Sequence, residues 1–129
     1  MRDEQLLQQL RPDLQLPLQS SKPEECFQNQ TLRPILKMQH VLLVQLLATH
    51  IRKRKNVFFK LSASARMEWI ANVVRADQRF RNLLVGTVVG HFSLGELKIF
   101  EAKEAEYLRR LVTLIIQRLQ SVDYEEQMV

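Results

Sequence analysis

The sequence predicts an all-α protein, an irregular bundle of four or five helices with a loosely ordered N-terminal arm. Three observations carry this. Apolar residues recur at three- and four-residue spacing from Leu32 to Val122, the period of a helix face. Only 3 Gly and 4 Pro occur in 129 residues, too few for the turns of a many-stranded β-protein. No strand pattern competes with the helical one, and no internal repeat is visible. With 46% hydrophobic and 26% charged residues the balance is that of a globular chain, and the length suits one domain. The expected division is an arm over 1–22, a single helical domain over 23–122 and a frayed tail over 123–129.

In the arm, Pro12 and Pro17 interrupt any helix, leaving only Asp3 to Leu10 for a turn or two. Its leucines, Leu14, Leu16 and Leu18, suit either a loosely held terminus or an arm docked on a neighbouring subunit. The first long helix starts near Pro23, with Ser21 as cap and Glu24 and Glu25 in the favoured first turn. Pro34 should kink that helix or start a new one capped by Thr31. Beyond it Leu32, Ile35, Leu36, Leu42, Leu43, Leu46 and Leu47 share one face, while Val41, Val44 and Ala48 lie on roughly the opposite one. A helix apolar on both sides is central in its domain or shares one side with a partner. Val57-Phe58-Phe59 reads as an apolar connector. Ser62 caps a helix of about Ala63 to Arg75, turning Met67, Trp69, Ile70, Val73 and Val74 inward. Asp77 caps the next, with Phe80, Leu83, Leu84, Thr87, Val88 and His91 as its stripe and Gly86 and Gly90 placed for close helix approach. Ser93 and Glu96 form a capping box for a final helix running to about Ser121.

Charge is unevenly spread. The net value is +5, yet residues 32–60 hold seven bases and no acid. Arg33, Lys37, Arg52, Lys53, Arg54, Lys55 and Lys60 are therefore the candidate residues for binding nucleic acid or another anion. Four consecutive bases on a helix point about 100° apart and cannot all face one groove, and cations at a helix C-terminus also suit the macrodipole. Phe58 and Phe59 could stack on bases, though adjacent bulky apolar residues between helices more often plug a core.

Other chemistry is thinly supported. No G-x-G-x-x-G or G-x-x-x-x-G-K-[ST] pattern occurs. The single cysteine, Cys26, excludes an internal disulfide and receives no role. His40, His50 and His91 lack the spacing of helix-borne metal ligands, so no metal and no cofactor is expected. Glu104 falls within the apolar stripe of the final helix, where a carboxyl would titrate high unless paired. With Gln39 and His91 it could line a polar pocket, which makes Glu104 and His91 the acid/base candidates of an enzymatic reading. No apolar run is long enough to span a membrane, and Met1-Arg2-Asp3-Glu4 has no signal-peptide pattern, so a cytoplasmic protein is expected.

The order Phe27-Gln28-Asn29-Gln30-Thr31-Leu32-Arg33-Pro34-Ile35-Leu36-Lys37, then Lys55-Asn56-Val57-Phe58-Phe59, then Arg79-Phe80-Arg81-Asn82 leading to Gly86 and Gly90, resembles a family of short, uncharacterised bacterial all-helical proteins. Some of its members are labelled glyoxalase. The resemblance implies a helical fold and a bacterial source. The label implies a metal-dependent isomerase of βαβββ units, for which the residues supply neither strand pairs nor a His/Glu ligand set. The expectation is a non-catalytic binding protein that self-associates as a homodimer through Val41, Val44 and Ala48. The alternatives are nucleic-acid or acidic-protein binding through the basic segment, and an enzyme using Glu104 and His91.

Overall fold

The computed structural model describes residues 3–14 and 22–127, and among them the chain is all-α, with no strand. There are more helical segments than four or five, because the first and last expected helices are each broken. The first comprises α2 (Pro23–Phe27), a π-helical turn (Gln28–Leu32), α3 (Arg33–Met38) and α4 (His40–Lys53). Pro34 does not restart a helix behind a Thr31 cap. The turn before it widens, Arg33 N–H donating to Gln28 O five residues back, and a π-turn of this kind absorbs an irregularity in the α-helical ladder. The Thr31 hydroxyl donates instead to Glu96 Oε2 at 3.0 Å. Ser21, the expected cap of α2, lies outside the described residues. Gln39 (φ −91°, ψ 6°) interrupts α3 and α4 for one residue, yet it donates to Ile35 O and accepts from Leu43 N–H, both at 2.9 Å, so the axis is nearly continuous.

Lys55 and Asn56 end α4 in the left-handed region (φ 59° and 57°) and lead into a 3₁₀ turn, Val57–Lys60. Phe58 in that turn is a core plug, edge-on to Trp69 and Tyr124, and so is closed to any base. The caps of α5 (Ala63–Ala76), α6 (Gln78–Val89) and α7 (Leu94–Ala102) are those expected. Ser62 accepts from Ala65 N–H, Asp77 from Phe80 N–H, and Ser93 and Glu96 form a reciprocal box. The single final helix is not observed: Lys103 (φ −139°, ψ 54°) separates α7 from α8 (Glu104–Gln120).

Helix α8 touches α4, α5, α6, α7 and the π-turn, and so sits at the centre with α4. Leu32, Ile35, Leu36, Leu43, Leu47 and Ile51 from the α3–α4 column meet Ile70, Val74, Leu84, Val88, Leu111, Ile115 and Leu119. Truncating any of these leucines or isoleucines to alanine should cost about 2–5 kcal/mol.

Several expectations fail for one reason: periodicity marks apolar positions but not which neighbour covers them. Val44 and Ala48 are buried within the chain itself (2% and 0% exposed), so neither belongs to a free dimer face, and of that trio only Val41, at 70%, is open. Leu42, Met67 and Leu83 are exposed rather than inward. Gly86 and Gly90 do not permit close approach within the chain. A Cβ on Gly86 would meet nothing, and one on Gly90 only the Gly86 carbonyl of its own helix.

Both ends are tied down where they are described. The tail carries α9 (Tyr124–Gln127), whose Tyr124 is buried and donates to Leu119 O at 2.6 Å. Burial holds that phenol well above its ordinary titration range. In the arm, Asp3 caps α1 (Glu4–Gln9), and Arg11 reaches into the bundle to grip Glu96 and the His91 carbonyl. Leu16 and Leu18 lie outside the described residues.

Candidate functional site

The seven bases of residues 33–60 do not form one patch. Arg33 and Lys37 stand on α3, and Lys37 is 15 residues, about 22 Å of helix, from Arg52. Arg52 donates to Thr49 Oγ1 on its own helix. Lys55 and Lys60 are exposed on and after the left-handed turn.

Lys53 and Arg54 are different, because the C-terminal part of α4 crosses the corner between α5 and α6. Arg54 Nη2 lies 3.3 Å and His50 Nε2 3.8 Å from Asp77 Oδ2, while the His50 ring stacks on Phe80 with centroids 4.3 Å apart. This brings the end of α4 to the α5–α6 junction, whose own sequence carries Arg75, Arg79 and Arg81, the last donating to Arg75 O at 2.7 Å. Asp77 is the one acid at the corner among the described residues of 52–82 other than Glu68 on α5, and it is already committed, one oxygen capping α6 and the other on Arg54. His50 adds no charge at neutral pH. Its burial, then Arg54 and Lys53, hold its titration below the usual imidazole value against the opposing pull of Asp77.

Beside the corner runs a groove of about 480 Å³ lined by Arg54, Trp69, Asn72, Val73, Ala76 and Asp77. Trp69, the one tryptophan, is half-buried, its ring packed edge-on to Phe58 at 5.3 Å. A guanidinium lining a groove with an indole in its wall can neutralise a phosphate and offer a stacking surface to a base. Sequence reasoning missed Arg75, Arg79, Arg81 and Trp69. For Arg75 and Arg79 a local signal existed, since no acid stands three or four residues from either.

The acid/base pair does not assemble as expected. The break at Lys103 puts Glu104 in the exposed first turn of α8 rather than inside an apolar stripe. His91 sits in the turn after α6, its carbonyl receiving Arg11 at 2.6 Å. The Gln39 amide is engaged elsewhere, crossing from the α3–α4 junction to Thr87 O on α6 at 3.0 Å. His40 lies beside Arg118, so the three histidines occupy three separate places. Among the described residues no group of three or more His, Cys, Asp or Glu could hold a metal ion, and no helix is long and apolar enough to cross a membrane.

Comparison with known proteins finds no matching family model, no matching curated protein and no matching solved structure.

Proposed function

We propose that this is a binding protein without catalysis of its own, and that its partner is single-stranded nucleic acid engaged at the α4–α5–α6 corner. The observation that carries the reading is Arg54 seated on the committed Asp77 carboxylate at a junction whose sequence also carries Arg75, Arg79 and Arg81, with Trp69 in the groove that Arg54 lines. Phosphates would lie along the guanidinium groups while a splayed base meets the indole face, a sequence-tolerant mode. The exposed position of Glu104 argues against an acid/base role for it.

The test is anisotropy of a labelled oligonucleotide across a salt series, with Trp69 fluorescence as a second signal. Affinity should fall with a log–log slope of about −0.7 per phosphate neutralised. Replacing Arg79 and Arg81 by Gln should shallow that slope by about one to two. Absent or salt-insensitive binding would end the proposal.

A second reading is self-association. It is favoured by Val41, which is open with Leu42 at the start of α4, and by Leu83 and a bare Gly86 immediately before Thr87, where α6 receives the Gln39 bond. Sedimentation should show a dimer, weakened by Gly86→Ala. In a monomer the same substitution should only stabilise, by about 0.4–1 kcal/mol.

A further inference from the structure

A second cationic site lies elsewhere on the bundle, between α3 and α8. Arg33 and Arg118 border a cavity of about 270 Å³ whose other walls are Leu36, Leu114, Gln117 and Ser121. Each guanidinium is oriented by a neutral acceptor. Arg33 Nε donates to Asn29 Oδ1 at 3.1 Å, and Arg118 Nη1 lies 3.3 Å from His40 Nδ1. Among the described residues no carboxylate is within 4 Å of either one, whereas Arg11, Arg54, Arg66, Arg109 and Arg110 each have such a partner.

The positions are thus built without being neutralised. His40 can accept from Arg118 only as the neutral imidazole with its proton on Nε2, and its burial, then Arg118, hold its titration below the usual value, which keeps it in that form. Arg118 feels burial first and Arg33 second, both against its charge, and no acid acts in its favour. Two guanidinium groups facing one cavity from two helices, with outer N–H groups uncommitted, suit a group that accepts from several directions at once. A carboxylate is satisfied by one bidentate arginine; a tetrahedral dianion uses two. Lys37, one turn after Arg33 on α3, is exposed and stands outside the cavity lining.

We infer that the Arg33–Arg118 cavity is a binding site for a phosphate group, either as the free ion or as the phosphate of a nucleoside monophosphate. The Gln117 amide contributes further donors at the wall, while Leu36 and Leu114 form a closed apolar floor. The Ser121 hydroxyl already donates to Arg118 O and so holds the end of α8 in place rather than serving as a donor.

The experiment is calorimetric titration of the full chain with inorganic phosphate, a nucleoside 5′-monophosphate and acetate. Saturable binding of a phosphate species in preference to acetate is expected. Arg118→Gln should weaken it roughly ten- to hundredfold, the loss typical of charge-assisted hydrogen bonds. Arg33→Gln, on the other helix, should do the same, which keeps the test valid should one variant fail to fold. Tighter binding of the nucleotide would identify the organic phosphate as the source, and equal binding the free ion; both uphold the site. Arg79→Gln with Arg81→Gln should leave phosphate affinity unchanged, so this site and the nucleic-acid corner fail independently. No binding of either phosphate species, unchanged affinity in both Arg33→Gln and Arg118→Gln, or loss only in the corner variant would overturn the inference.

Discussion

Two arginines removed from full solvent exposure, Arg11 and Arg118, meet opposite electrostatic fates. Arg11, with a side chain only 4% exposed, is doubly bonded to Glu96 at 2.6 and 2.7 Å and to the His91 carbonyl. Arg118 faces Arg33 across a cavity and is steadied by a neutral imidazole. The same residue type therefore ties the chain together in one place and is left unsatisfied in the other. What separates a structural arginine from a ligand-ready one is the charge of the group that orients it, since a neutral acceptor fixes direction without cancelling charge.

Breaking the matched pair should have the largest effect. Arg11→Ala strands a half-buried carboxylate and should cost about 3 kcal/mol in urea unfolding. Glu96→Gln, which retains an acceptor for the Ser93 N–H, should cost less than Glu96→Ala. A cost near zero for Arg11→Ala would mean that the arm is not anchored through this contact.

A pH series sharpens the contrast. Burial pushes the Glu96 carboxyl upward, but Arg11, the Ser93 N–H and Thr31 outweigh it and hold the group below its ordinary value of 4.5. The unfolded chain therefore binds the proton more readily. The stabilisation is complete above about pH 4.5 and is lost as pH falls through the depressed folded value. Arg11→Ala should flatten this acid limb, and unfolding midpoints between pH 3 and pH 7, roughly the range of carboxylate titration, would show it.

Removing the unmatched charge should matter least to stability. Arg118→Gln relieves its opposition to Arg33 and should change the unfolding free energy by less than about 1 kcal/mol, with either sign. A loss as large as that of Arg11→Ala would make Arg118 a structural residue and abolish the distinction.

Much of the fold was legible from local chemistry. Ser62, Asp77 and the Ser93–Glu96 box mark three helix starts because caps act within three residues of themselves. The break at Lys103 was not legible, since neither Gly nor Pro signals it and the apolar spacing runs through it. Its ammonium pairs with Glu24 from the far end of the sequence, a contact that no window of neighbouring residues contains. The sites were harder still. Arg33 and Arg118 are 85 positions apart, and Arg54 reaches Asp77 at the α5–α6 junction only because α4 crosses there. Hydrophobic period tells which face is covered and leaves open by what.

The widened turn at Gln28–Leu32 acts as a phase adjuster. One surplus residue in a helix rotates everything upstream by about 100° relative to everything downstream. That rotation lets Phe27 pack on Phe92 and Tyr107 while Thr31 reaches Glu96 and Arg33 looks toward Arg118. Excising Gln30 would restore an ordinary ladder and swing the aromatic anchor out of its seat, so this loop of slack in the backbone is what allows one rod to keep three appointments.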